Sequence, residues 1–196
     1  MSQRRLSASL TTTFVLAALM LVLGLMPFWS VPALEFNRTL ITEGQWWRLL
    51  TGHWVHYGVY HLAMNAFAFV LCGYILLRHL PLSHYSLLTL TCLLGVGAGL
   101  YWLSPELHYY AGLSGALHGL LVAGVLLSFK DAPWIAAAVL VVLSAKLIQE
   151  QGASFDPEHP LLPVPVAVDA HLYGAVIGFV WGVSVHIFRQ LKLRAH

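Results

Sequence analysis

Three short stretches of this 196-residue chain carry side chains that could do chemistry. The first holds His53, His56, His61 and Asn65. The second reads Gly112-Leu113-Ser114-Gly115-Ala116-Leu117-His118-Gly119, and the third Asp169-Ala170-His171-Leu172-Tyr173-Gly174. Helical residues four apart share a face, which pairs His61 with Asn65 and Ser114 with His118. A serine where a loop enters a helix stands among backbone N–H groups that lack a helical acceptor and favour negative charge. Such a serine could attack a carbonyl and help hold the oxyanion with its own N–H. It would need a base, and His171 opens another helix. The plainer alternatives stay open at this point: a serine at a helix start is a common N-cap, and a histidine near a membrane surface is commonly a solvated one. His53, His56 and His61 also invite a metal reading, but no H-E-x-x-H or Cys/His ligand pattern accompanies them. Neither a metal nor a cofactor is expected.

The elements that must hold these residues follow from composition. Hydrophobic residues make up 59% of the chain and charged residues 9%, with mean hydropathy +0.75; soluble domains carry about 25% charged residues. This disfavours a soluble enzyme, a disordered tail or a nucleic-acid binder, and a net charge of +2 is no footprint for nucleic acid. Cys72 and Cys92 lie in apolar runs, so no disulfide framework is expected. Stretches free of Asp, Glu, Lys and Arg cover 6–34, 49–77, 79–105, 107–129, 132–145 and 170–188. Spanning about 30 Å of hydrocarbon takes roughly 20 residues, which predicts six helices near 9–28, 59–78, 84–103, 113–129, 133–149 and 170–188. The fifth is extended by Lys146 snorkelling to the interface. The first exceeds a signal-peptide core and lacks a cleavage site, so it is read as uncleaved.

Charge bias orients this all-α bundle. Arg4, Arg5, Arg78, Lys130, Arg189, Lys192 and Arg194 share one side, leaving Arg38, Arg48 and Lys146 on the other with seven of the eight acids. The positive-inside rule then places both termini in the cytoplasm. All three reactive stretches face outward, as do the long segments 29–58 and 150–169. Gly115 and Gly119 on the fourth helix, and Gly174, Gly178 and Gly182 on the sixth, are spaced for close backbone approach. That packing would bring Ser114 to His171. Asp169, two residues from His171 and so about 200° around the helix, is read as the cap of the sixth helix.

These residues resemble the rhomboid intramembrane serine proteases. Trp47-Arg48-Leu49-Leu50-Thr51, followed by His56, His61 and Asn65, is similar to their first loop and second helix. Gly112-Leu113-Ser114-Gly115 resembles their G-x-S-G motif, and Ala170-His171 with Gly174 and Gly178 their sixth helix. The resemblance implies a single six-helix domain over 1–196. Ser114 would be the nucleophile and His171 the base, a dyad without a third acid. His61, Asn65 and the Ser114 N–H would form the oxyanion hole. The partners implied are the lipid bilayer and a transmembrane-anchored protein substrate, with the fifth helix and the 150–168 loop as gate and cap. Two departures stand out: His53 and His56 are three apart where many rhomboids have four, and His118 replaces a common Tyr. The string Ser114-Gly115-x-Leu117-His118-Gly119, on a short chain without a seventh helix or cytosolic domain, looks like the rhombosortase branch. Members of that branch process bacterial proteins ending in a Gly-Gly motif, a transmembrane segment and a basic tail. The resemblance thus implies a bacterial inner membrane and a site open to the periplasm. His118 is expected to be neutral, packed against His171 or hydrogen-bonded to it, either as a packing and orienting residue or as one that shuttles a proton or positions water or an acceptor amine. The alternative is a silent rhomboid-like protein that binds and chaperones membrane helices, and a transporter is disfavoured by the absence of buried acids, internal symmetry or a midplane break.

Overall fold

A computed structural model describes residues 7–158 and 160–194. Arg4 and Arg5, part of the charge pattern, lie outside the described residues, as does the side-chain placement of Arg189 and Arg194. In chain order the elements are α1 (Ala8–Gly24), α2 (Pro27–Leu34), β1 (Phe36–Asn37), α3 (Arg38–Thr42) and α4 (Arg48–Thr51). After a 3-10 turn at Gly52–Trp54 come α5 (Val59–Cys72, continued by a π turn at Gly73–Leu77), α6 (Leu82–Leu103) and β2 (Tyr109–Tyr110). The chain closes with α7 (Ser114–Leu127), α8 (Pro133–Glu150) and α9 (Val168–Arg194).

Each of the six expected regions holds a helix. Among the described residues, however, only four are individually long and apolar enough to cross a bilayer: Val59–Leu77, Leu82–Leu103, Pro133–Glu150 and Val168–Lys192. The first expected helix, near 9–28, is broken. It stops at Gly24, and α2 leaves at 109° to it. The cause is Pro27, the first residue of α2, which has no N–H to offer the carbonyl of Leu23. The Ser30 hydroxyl donates to that carbonyl instead, at 2.9 Å. The N-terminal half of α1 is clasped by polar contacts in an apolar setting: Ser9 Oγ donates to the Leu80 carbonyl (2.6 Å), and Thr13 Oγ1 lies 2.8 Å from Tyr85 Oη.

The fourth helix is shorter than the expected 113–129. With 14 residues α7 rises only about 21 Å, well under the roughly 30 Å of hydrocarbon. Nine of those residues are buried, because α7 packs against α5, α6 and above all α9. The contact with α9 runs through glycine. A Cβ on Gly174 would collide with the Gly115 carbonyl, and one on Gly178 with the Gly119 carbonyl. A Cβ on Gly119 would lie 2.7 Å from the Gly174 carbonyl oxygen.

The segment between α1 and α5 packs at the C-terminal end of α6 and the N-terminal end of α7. β1 and β2 pair antiparallel, Phe36 against Tyr110. Arg38 gives four of its five side-chain donors to the C-terminal end of α6 and the turn after it: Leu100, Tyr101, Ser104 and Leu107 carbonyls at 2.7–2.8 Å. Arg48, buried, reaches Gln45 Oε1 and the carbonyls of Glu35 and Pro32. These two cations are thus structural pins for helix ends and turns.

Because the α7–α9 collision would be backbone on backbone, no rotamer change relieves it. Gly178→Ala should cost about 1–3 kcal/mol, the usual range for overpacking, read as a lowered thermal midpoint in detergent. Gly95→Ala, where the new methyl meets only the movable tip of Ile177, should cost far less. Equal midpoints for the two variants would contradict this packing.

Candidate active site

The approach to α7 is set by Gly112, whose φ of +128° is one that L side chains rarely adopt. Its N–H donates to the Gly52 carbonyl (3.0 Å), and its carbonyl accepts from Tyr110 Oη (2.5 Å). Leu113 occupies the N-cap position without a capping side chain, and Ser114 is the first residue of the helix. The serine is therefore not a cap. Its Oγ lies 3.0 Å from Nε2 of His171, the fourth residue of α9. That contact joins residues 57 apart in sequence, and Ala170, packed on Gly115, sets its height.

The other ring nitrogen of His171 faces an acid. Nδ1 is 3.0 Å from Glu150 Oε2 and 3.1 Å from Oε1. Glu150 is the last residue of α8, with its side chain 7% exposed, and it forms an ion pair with Lys146 one turn earlier. Lys146 thus turns to Glu150 rather than simply snorkelling outward, and its Nζ is 3.3 Å from His118 Nε2 and 3.4 Å from His171 Nδ1. His118 stacks on His171 with ring centroids 4.2 Å apart and planes 18° apart. Its Nδ1–H donates to the Ser114 carbonyl (2.7 Å), which leaves Nε2 as the acceptor toward Lys146. Asp169 does not take the expected capping position. It is the second residue of α9, and its carboxylate accepts from Ser104 Oγ at 2.6 Å, away from His171.

His61 and Asn65 lie on the other side of Ser114. A Cβ on Gly112 would come within 2.7 Å of His61 Nε2 and 3.6 Å of Asn65 Nδ2. Asn65 is buried and its Nδ2 has no hydrogen-bond partner, an unusual state for a buried donor. Ser114, His171, His118, Glu150, His61 and Asn65 all line one cleft of about 910 Å³. Among the described residues no group of three or more His, Cys, Asp or Glu is placed to hold a metal ion.

The family model of the rhomboid domain matches residues 43–188, a stretch that takes in every one of these side chains. The chain belongs to the rhomboid family. It is therefore a multi-pass membrane protein. One similar relative is the rhomboid protease GluP of Bacillus subtilis, 35% identical over 87 residues; the match covers 44% of this chain and 17% of the relative.

In this rhomboid, Glu150 is the site residue that sequence reasoning missed, having been assigned to the outer loop. The structure shows why: the buried positions of α8 are Ala136, Leu143 and Glu150, seven apart on one seam, so the helix runs on past Lys146 to an acid that faces inward. The two histidines before α5 serve another purpose. His53 Nε2–H donates to the Leu93 carbonyl (2.8 Å), tying the first loop to α6, whereas both ring nitrogens of buried His56 lack partners.

Burial lowers the pKa of His53 to about 4 and, with the nearby His61 and His53 as further causes, that of His56 to about 3, from 6.5. Both are neutral in the fold at neutral pH. The unfolded chain then binds more protons than the native one below 6.5, so this stability is complete above that pH and is lost as pH falls toward 4 and 3. Thermal unfolding in detergent should show a midpoint that declines over this window, with a shallower decline in His53→Gln. A slope unchanged in that variant would assign the acid sensitivity elsewhere.

Proposed function

We propose that this protein is an intramembrane serine endopeptidase that cleaves the membrane anchors of other proteins near the outer face of a bacterial inner membrane. The observation that carries the reading is the 3.0 Å contact between Ser114 Oγ and His171 Nε2, within general-base reach. His171 takes the serine proton as Oγ attacks the scissile carbonyl carbon, then returns it to the leaving amine. The Ser114 N–H, Asn65 Nδ2 and His61 stabilise the oxyanion; the unpartnered Asn65 donor supports that role. Water then resolves the acyl-enzyme. The retained Ser114–His171 pair argues against the silent, helix-chaperoning alternative.

The cleft suits a hydrophobic substrate. Met64, Ala68 and Leu71 of α5 line it on one side and Ile135, Ala136 and Val139 of α8 on the other, with Leu162 and Val166 of the 150–168 segment above. A substrate helix enters from lipid between α5 and α8, and the 150–168 segment caps the site. The reading includes a single domain over 1–196 with six crossings, α7 completing the set, both termini cytoplasmic and the site open to the periplasm. His118 in the string Ser114-Gly115-x-Leu117-His118-Gly119 supports a rhombosortase-like substrate, a C-terminal Gly-Gly motif before a transmembrane segment and basic tail. Its stacking on His171 suits a packing and orienting residue.

A fluorophosphonate probe should label the wild-type protein at Ser114, and Ser114→Ala should lose both labelling and cleavage of a Gly-Gly-anchored substrate while remaining folded. Cleavage that survives Ser114→Ala would end this reading. Asn65→Ala should lower kcat by about 10- to 1000-fold, the range for loss of one oxyanion donor, with KM little changed. If Asn65 only braces the fold, the thermal midpoint would drop instead and kcat per folded molecule would hold.

A further inference from the structure

Building on the protease reading, we infer that Glu150 is a positioning residue for His171, so that the site is a Ser114–His171–Glu150 triad rather than a dyad. A neutral imidazole carries one N–H, and the hydrogen-bond partners decide which nitrogen bears it. For His171 to accept the serine proton at Nε2, its hydrogen must sit on Nδ1 and find an acceptor there. Glu150 supplies both carboxylate oxygens at 3.0 and 3.1 Å. No other acceptor competes: His118 has its Nδ1–H committed to the Ser114 carbonyl and its Nε2 turned to Lys146.

Lys146 sharpens the requirement. Its Nζ lies 3.4 Å from His171 Nδ1, and as a donor it would favour the opposite tautomer, with hydrogen on Nε2 and no basic site toward Ser114. The ion pair with Glu150 diverts the ammonium and balances its charge. During the reaction the proton of Ser114 Oγ moves to His171 Nε2 as the Oγ–carbon bond forms, and the imidazolium faces a carboxylate that stays ionised. Without Glu150 it would face an unbalanced ammonium. The charged or titratable groups around His171 are Glu150 and Lys146 from α8, His118 from α7 and His61 from α5. Glu150 is the anion among them.

The test is the second-order rate of fluorophosphonate labelling of the full chain in detergent, followed against pH. Glu150→Gln should slow labelling at neutral pH by about 100- to 10,000-fold, the range for loss of base orientation. Its acid limb should move to lower pH, because the imidazolium loses its counter-ion. Glu150→Asp should recover part of the rate, and removing the ammonium in Glu150→Gln/Lys146→Met should recover part of what Glu150→Gln loses. Folding of each variant is checked by its thermal midpoint, and the two rescues separate positioning from mere stability. Glu150→Gln labelling at the wild-type rate with an unmoved acid limb would overturn the triad and leave the protease reading intact. A wild-type protein that never labels would overturn both.

Discussion

The approach of two helix backbones governs the chemistry of this molecule. Gly174 and Gly178 of α9 rest directly on the carbonyls of Gly115 and Gly119 of α7, closer than any pair of side chains would allow. In lipid, where apolar side chains gain nothing by leaving one another's company, such contacts hold helices through packing alone. Their geometric effect is larger than their energy. Ser114 and His171 project from the same ends of these two helices, so the glycine seam converts a separation of 57 residues into a 3.0 Å contact.

A second constraint follows from the length of α7. With 14 residues α7 rises only about 21 Å, and buried polar backbone beside its start is costly unless paired. The segment between α1 and α5 meets that need. Gly52 receives the N–H of Gly112, Tyr110 closes on the Gly112 carbonyl, and Arg38 and Arg48 satisfy carbonyls at helix ends and turns. The exceptions are instructive. Asn65 Nδ2 and the His56 ring are left without partners, and Asn65 lines the same cleft as Ser114.

Much of this was legible in the sequence because it rests on local rules. The charge-free runs located all six helical regions. The four-residue spacing of glycines on the fourth and sixth helices located their contact, and with it the meeting of Ser114 and His171. What was not legible depends on geometry across the bundle. The bend after Gly24 turns on Ser30 taking over the Leu23 carbonyl that Pro27 cannot serve, a pairing seven residues long with no pattern of its own. Asp169 was excluded as a partner of His171 by helix geometry, yet its actual partner, Ser104 on α6, could not be read from α9. Glu150 was missed because a count of uninterrupted apolar residues stops at Lys146, one turn before the acid that matters.

That acid arrives on a helix with a special attachment. Along α8 only Ala136, Leu143 and Glu150 are buried, one residue every second turn, so the helix touches the bundle along a narrow seam while Ile135, Val141, Val142 and Ile148 remain exposed to what is lipid in a membrane. The first two seam residues offer apolar contacts, Leu143 packing with Val122 of α7 and Ala175 of α9. The third offers a carboxylate shared between Lys146 and His171, and a charge in such surroundings is tolerable only while paired. That one carboxylate therefore joins the C-terminal end of α8 to the His171 ring. The same helix borders the cleft, so whatever shifts its C-terminal end also alters the hydrogen bond between Glu150 and the imidazole that meets Ser114.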